Sequence, residues 1–215
     1  MNFFAKLETE YFENYLNLIK TTIENDSKKI EERFQAIKDS GEEPFTTDEG
    51  YEYNPYGELE DEMFSLQGME QLMYKTYLIG ILVFIEDQIN NVCTSIERED
   101  KLIFSYKDLK GSGVSRSIKY LETVIRKDFL ADLETRKHFE IAREIRNSLV
   151  HQDGRIDKDY IKKIEAYITE YPNMLSIEYT YKIQITYNYA KSLINLSKKI
   201  NSELGIYDKS FWNLN

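Results

Sequence analysis

Apolar residues recur at helical spacing along most of the chain. In the first part, Phe4, Leu7 and Tyr11 follow one another at three- and four-residue intervals, and similar spacing continues for several turns. This pattern predicts a helix over residues 3–38. The Asn25-Asp26-Ser27 segment within it is a candidate bend or break, since these residues compete with the helix for backbone hydrogen bonds.

The longest helical pattern runs from Glu58 to Arg98. It predicts one very long helix, or two helices joined near Gly68 or Gly80. Apolar residues crowd its middle, from Leu72 to Val92, on nearly all sides. A helix that is apolar all round is buried all round, so we expect this element to be the central core helix.

Three further helices are predicted after this element. The spacing places them over residues 114–129, over about 132–152, and after Asp157, which is a suitable N-cap. Ile156 and Ile161 flank that cap as the pair of a hydrophobic staple. The apolar stripe of the last of these helices is predicted to consist of Tyr160, Ile164, Tyr167, Ile168 and Tyr171.

The period of the pattern then changes. Apolar and polar residues alternate strictly from Leu175 to Tyr187, which is the spacing of a strand. We therefore expect a short strand or an irregular hairpin over residues 175–184. Helical spacing resumes at about residue 185, Gly205 is the predicted end of that helix, and the Phe211-Trp212 tail is expected to dock on the surface.

The segment from Gly41 to Tyr56 has no sustained period and is punctuated by Pro and Gly. It predicts a long loop, mobile or held by a partner. This loop and the helix before it form an N-terminal part (residues 1–57), which is expected to make one compact unit with a helical bundle (58–215). Residues 31–62 hold 12 acids against two bases, which accounts for the whole net charge of −10. This acidity indicates either a solvated surface, or a screen over a functional groove or docking surface for another protein.

Composition narrows the class of protein. The chain has 41% hydrophobic and 31% charged residues, which is typical of a soluble helical protein. Cys93 is the single cysteine, so no intramolecular disulfide is possible, as in a reducing compartment. The longest apolar run, Tyr77 to Ile85, is too short for a membrane span, and the first residues do not resemble a signal peptide. We expect a cytoplasmic protein that does not enter membranes.

The candidate catalytic residues Arg146, Asn147 and His151 all lie in the segment from Glu140 to Gly154. The apolar stripe of this predicted helix consists of Ala142, Ile145 and Leu149. Asn147 and His151 are four residues apart and share a face that lies away from this stripe. A guanidinium, an amide and an imidazole are therefore expected on the last turn of a helix, facing away from the core.

The HEPN superfamily has a characteristic motif near the end of a core helix. It consists of an Arg, usually followed by a polar residue such as Asn, and a His four to six residues further on. The R-N-S-L-V-H segment from Arg146 to His151 resembles it, and the helical pattern of residues 59–204 agrees. Members that work beside a nucleotidyltransferase often carry Tyr two residues after the His, where this chain has Asp153.

The resemblance implies an all-α, up-and-down helical bundle and a metal-independent endoribonuclease that cleaves RNA as a homodimer. It implies a toxin–antitoxin pair or phage defence as the setting, with an antitoxin or regulatory protein as a possible partner. In RNases of this kind, two protomers bring their motifs face to face across a groove. A non-catalytic module that binds nucleotide or RNA, or mediates assembly, is the alternative, and an unrelated helical interaction protein is a third.

The residue types fit RNA cleavage by the 2′-hydroxyl. His151 is the proton acceptor or donor, since histidine changes charge near neutral pH, and Arg146 binds the phosphate oxygens. Asn147 positions the phosphate or the imidazole, and Glu86 and Arg143 are candidate supporting residues. No cofactor or metal is expected, because the two His and one Cys form no ligand pattern. The plain alternative is that His151 and Asn147 cap the helix, with Arg146 paired to Glu140, Glu144 or Asp153.

Overall fold

A computed structural model describes residues 3–99, 103–111 and 113–211, with side-chain surroundings over residues 7–98, 103–111 and 113–205. The six α-helices in these ranges are α1 (Phe3–Ser40), α2 (Gly57–Glu99), α3 (Gly113–Thr123), α4 (Leu133–His151), α5 (Lys158–Glu170) and α6 (Tyr187–Phe211). Two antiparallel pairs of strands accompany them: β1 (Phe45–Thr46) with β2 (Glu52–Tyr53), and β3 (Leu175–Ile177) with β4 (Ile183–Ile185). The predicted mainly α class with a long helix and a small hairpin is confirmed.

The first two helices are continuous. α1 runs through Asn25-Asp26-Ser27 without a break, and α2 runs through both Gly68 and Gly80. At Gly80 the absent side chain allows a close approach, because Phe12 of α1 has a ring carbon 3.4 Å from the place of a Cβ. The continuity of α1 follows from its buried face, since packing of an amphipathic face contributes more to helix stability than local propensity.

α2 is the central helix of the bundle, as the sequence predicts. It packs against α1, α3, α4 and α6. Its buried face includes Leu78, Ile81, Leu82, Ile85 and Ile89, which are fully removed from solvent. The helix is not buried all round, however, because Leu72 and Val83 are exposed on the opposite face.

α3 is shorter than predicted. It ends at Thr123, whereas the apolar spacing continues to Phe129. Arg126 and Leu130 have φ of 56°, in the left-handed region, so the chain turns there instead of continuing the helix. Phe129 is nevertheless buried. The periodicity therefore identified a buried residue correctly but not the backbone that carries it.

The N-cap of α5 is Asp157, as predicted, and its carboxylate accepts the Asp159 N–H at 3.0 Å. Ile164 and Tyr167 are buried in the main core. Tyr160 is not part of that core, contrary to the prediction, because its side chain is 41% exposed. The staple residue Ile161 packs against the core in its place.

The predicted hairpin at residues 175–184 is present as β3 and β4, with Leu175 opposite Ile185. Ile185 therefore belongs to a strand, and α6 begins at Tyr187. Gly205 does not end α6, which continues to Phe211, because an isolated Gly weakens a helix without necessarily ending it. The predicted docking of Phe211 and Trp212 concerns side chains that lie outside the described residues.

The acidic segment is more regular than predicted. Instead of an irregular loop, residues 45–53 form a small hairpin in which Phe45 pairs with Tyr53, and both strands are exposed. The aromatic rings of this pair lie 4.9 Å apart, which gives the hairpin a contact of its own.

In the described ranges, no helix has both the length and the apolar character needed to cross a bilayer.

Candidate active site at the end of helix α4

The backbone after His151 turns away from the helix axis. The Ser148 carbonyl accepts two N–H groups, from Gln152 at 2.9 Å and from Gly154 at 3.0 Å. Gly154 has a φ of +77°, and a Cβ there would approach Leu149 to 3.2 Å. Glycine is therefore required for this tight ending, and α4 stops at His151 as predicted.

The turn after α4 is fixed to the second hairpin. The Ile183 N–H donates to the Gly154 carbonyl, and the Ile156 N–H donates to the Tyr181 carbonyl, both at 3.1 Å. Lys182 contacts the Asp153 carboxylate at 2.6 Å. A hydrogen bond from Lys182 is the main cause that lowers the pKa of Asp153 below its usual value. These contacts hold the last turn of α4, and so the candidate residues on it, in a defined position.

Arg146 lies against α2. Its Nη2 donates to the Glu86 carboxylate, and the Arg143 Nε lies 3.9 Å from the same oxygen. Arg143 also donates to the Ser115 hydroxyl at 2.7 Å. The Glu86 side chain is only 16% exposed and that of Arg146 22%. The supporting residues Glu86 and Arg143 are thus brought together with Arg146 in one cluster of two cations and one anion.

This pairing corrects the simple salt-bridge alternative. Arg146 does not pair with Glu140, Glu144 or Asp153. Glu140 binds Lys163 at 3.0 Å and Asp153 binds Lys182. Glu86 follows the apolar run of α2, and its place beside α4 depends on how the two helices pack. Spacing within α4 could not reveal this partner.

Asn147 and His151 lie on the α5 side of α4. They line a cleft of about 200 Å³ with Glu144, Ser148, Tyr160 and Ile164. Neither makes a hydrogen bond with any residue that the structure describes, and His151 is exposed. The capping alternative is therefore wrong for both side chains, because backbone N–H groups satisfy the Ser148 carbonyl at this helix end.

Arg146 and His151 of one chain do not meet. Five residues separate them on α4, which turns their side chains about 140° apart around the helix axis. Arg146 contacts α2, while His151 faces the cleft beside α5. Asn147 lies between them on the exposed face. One chain alone therefore supplies the imidazole and the guanidinium at two edges of a surface, and not in one site.

The sequence did not indicate that Glu144, Ser148, Gln152 and Tyr160 line this cleft. Glu144 and Ser148 precede His151 at i−7 and i−3, so a line along the helix through His151 could have found them. Tyr160 was assigned to the core stripe of α5. Across the described ranges, no three His, Cys, Asp or Glu side chains are grouped to hold a metal ion.

Comparison of the chain with models of protein families, with curated protein sequences and with solved structures found no significant match. The likeness to the HEPN superfamily therefore rests on the residues of α4 and on the helical pattern alone.

Proposed function

We propose that this protein is a metal-independent endoribonuclease that acts as a dimer, as a toxin or a phage-defence effector. The observation that carries the proposal is the state of His151. It is an exposed imidazole without a hydrogen-bond partner among the described residues, and it lies in a cleft at a fixed helix end. The partly buried Arg146 guanidinium lies at the other edge of the same helix surface. These are the groups that cleavage by a 2′-hydroxyl requires.

The reaction uses the RNA's own nucleophile. The 2′-oxygen attacks the adjacent phosphorus and loses its proton to a base, the bond from phosphorus to the 5′-oxygen breaks, and an acid returns a proton to that oxygen. His151 performs one of these proton transfers, and the His151 of a second protomer performs the other. Arg146 binds the phosphate oxygens as charge develops on them, and Asn147 orients the phosphate.

Glu86 acts on Arg146 and not on the substrate. The carboxylate holds the guanidinium by a charge-assisted hydrogen bond, which fixes the direction of its remaining N–H groups. Two arginines share this carboxylate, so the cluster keeps a net charge of about +1 and still attracts a phosphate. Residues 98–163 also carry 16 bases against 12 acids, unlike the acidic segment.

The angle between Arg146 and His151 supports a dimer. Because the two side chains diverge within one chain, a second copy facing α4 is needed for both to approach one phosphate. Apolar side chains are exposed near the Arg146–Glu86 pair, since Val83 is one turn before Glu86 and Val150 one turn after Arg146. Such residues suit a symmetric contact between two copies.

The first test is cleavage of labelled RNA by the purified protein in excess EDTA. We expect cleavage to persist and to leave 2′,3′-cyclic phosphate and 5′-hydroxyl ends. His151→Ala and Arg146→Ala should each abolish it while the protein remains folded and dimeric. Strict dependence on magnesium, 3′-hydroxyl products, or full activity of either variant would refute the proposal.

The second test asks whether the site is shared. Wild-type and His151→Ala chains are mixed in equal amounts and allowed to exchange subunits. If the two His151 side chains of a dimer serve one phosphate, only wild-type dimers cleave, and random exchange leaves about a quarter of the activity of the same amount of wild-type protein. About half of that activity, with exchange verified by differently tagged chains, would show that each chain acts with its own histidine and would contradict the shared site.

A non-catalytic module that binds RNA or nucleotide is the second candidate. The observation that favours it is that Glu86 already neutralises part of the charge on Arg146. RNA binding without cleavage, under conditions where the wild-type protein is dimeric, would support this module and remove the ribonuclease.

A further inference from the structure

The cleft beside His151 has a composition unsuited to phosphate. None of its lining residues is Lys or Arg, while Glu144 and Asp157 bring two carboxylates. The cations of this region, Arg143 and Arg146, lie against α2 instead. A phosphate is therefore repelled from the cleft and attracted to the arginine cluster, so the cleft must accommodate a neutral part of any RNA bound there.

Besides Asn147 and His151, two further polar groups of the cleft have no partner in the part of the chain that the structure describes. Ser148 is only 7% exposed, and its buried Oγ makes no hydrogen bond with any described residue. Glu144 is half-buried and forms neither a hydrogen bond nor an ion pair within the described part of the chain. Buried hydroxyls are normally paired, so the unpaired Ser148 Oγ indicates a polar ligand, and the Glu144 carboxylate one turn away can accept a hydrogen bond from it.

The remaining walls are aromatic and apolar. The ring of Tyr160 is 41% exposed at the edge of the cleft, and Ile156 and Ile164 form its apolar part. Exposed aromatic rings beside polar groups are the usual platforms on which unpaired bases stack. The volume of about 200 Å³ is below that of sites for drug-sized ligands, so the cleft has room for one small ring system.

We propose that this cleft is a nucleobase subsite, in which Tyr160 stacks on one unpaired base and Glu144 accepts a hydrogen bond from its exocyclic amino group. The subsite therefore favours adenine, cytosine or guanine over uracil, which has no such group. Carboxylates and amides are the side chains that recognise base amino groups. Gln152 supplies an amide here.

This inference rests on the proposed function, because it takes RNA as the ligand, but its test needs no cleavage. The probes are fluorescent 2′-fluoro hexanucleotides of adenine, cytosine or uracil, which lack the attacking hydroxyl. Their dissociation constants are measured by anisotropy with the full chain. We expect the adenine and cytosine probes to bind about tenfold more tightly than the uracil probe.

The variants separate the two roles. Tyr160→Ala should weaken binding of all three probes about tenfold, and Tyr160→Phe should retain it. Glu144→Met should remove the preference against uracil. General charge repulsion would instead change all three affinities by one factor. The controls are Tyr179→Ala, at an exposed tyrosine outside the cleft, and Glu165→Met, at an exposed carboxylate of α5.

The results distinguish this inference from the proposed function. Equal binding of the three probes, no binding of any, or equal effects of Tyr160→Ala and Tyr179→Ala would overturn the subsite, even for a protein that cleaves RNA in EDTA. A preference against uracil that disappears in Glu144→Met would support the subsite, even for a protein that cleaves nothing.

Discussion

The two histidines of the chain lie on one helix, α4, and have opposite surroundings. His138 is partly buried, its Nδ1 is 2.7 Å from the Tyr167 hydroxyl, and its ring lies 4.8 Å from that of Tyr171. Its Nε2 is 3.6 Å from the Glu134 carboxylate. His151 is exposed and has no partner within the described ranges.

The difference shows what makes a histidine available for chemistry. Thirteen residues separate the two, which turns them about 140° apart on the helix. His138 faces Tyr167 of α5 and Tyr171 just after that helix. Burial raises the pKa of the Tyr167 hydroxyl far above its usual value. A phenol whose ionised form is so disfavoured acts as a hydrogen-bonding group and not as a nucleophile. His138 is therefore structural, while no described residue makes a hydrogen bond with the His151 imidazole.

Substitution of the two histidines should affect RNA cleavage very differently, and this is the largest difference that we expect. His151→Gln should lower the rate of RNA cleavage about 10²- to 10⁴-fold, because glutamine transfers no proton. His138→Gln should leave the rate within about threefold, since glutamine still bonds to Tyr167. Both rates are measured in EDTA on one RNA. Equal losses in the two variants would show that exposure does not separate the histidines.

For the stability of the fold, we expect His138 to matter more than His151. His138→Ala should lower the free energy of unfolding by about 1–3 kcal/mol, because it leaves the buried Tyr167 hydroxyl without its partner. His151→Ala should change it by less than about 0.5 kcal/mol, as an exposed substitution. Urea denaturation of both variants measures the difference. A larger loss for His151→Ala would mean that its side chain supports the fold.

Much of the fold could be predicted from the sequence, because helical spacing reports burial directly. The long α2, the N-cap of α5, and the hairpin at β3 and β4 all follow from local patterns. The end of α3 does not, since Phe129 keeps its buried position after the backbone has turned. Spacing identifies which residues are buried. It does not reveal the turn at Leu130, whose N–H donates to Glu203 of α6 and whose carbonyl accepts from Arg136 of α4.

The candidate site likewise contains residues that the sequence indicates and residues that only the packing of the helices reveals. Arg146, Asn147 and His151 were found because they are close in sequence. The pairing of Arg146 with Glu86 joins residues 60 apart, and it depends on how α2 and α4 cross. Tyr160 has the spacing of a core residue, and only the position of α5 against the end of α4 shows that it lines the cleft.

A smaller effect concerns pH and the two ends of α4. Asp132 at its start has a lowered pKa, chiefly through the Thr135 hydroxyl, and Asp153 after its end has one through Lys182. A depressed folded-state pKa adds stability above the ordinary value of 3.8, and this stability is lost as pH falls through the folded value. Unfolding free energy should thus fall below about pH 4.

The variants Asp132→Asn and Asp153→Asn should each make the unfolding free energy depend less steeply on pH in acid. Neither should change the difference in stability between His151→Ala and the wild-type protein. Urea unfolding at several pH values between 2 and 6 measures the slope. An unchanged slope in both variants would show that other carboxylates control acid unfolding.

The smallest effect on RNA binding is expected from the acidic hairpin of residues 45–53. This hairpin is exposed, as His151 is, but it lies far from the candidate site. Glu62, the last acid of the acidic segment, precedes Glu86 on α2 by 24 residues, or about 36 Å of helix. The Debye length is about 8 Å at physiological salt and about 30 Å at 0.01 M. Within one chain, the hairpin's charge can therefore reach the arginine cluster only at low salt.

Deletion of residues 42–55 tests this limit. Gly41 and Tyr56 would then join α1 to α2 through a short turn, as in ordinary helical hairpins. We expect a folded dimer with unchanged unfolding free energy, because both strands of the hairpin are exposed. RNA affinity should rise only near 10 mM salt, where screening is weakest, and equal wild-type affinity at about 150 mM. An unfolded variant would make the hairpin part of the core. A gain that persists at 150 mM would show that the hairpin approaches the site directly, from this chain or from its dimer partner.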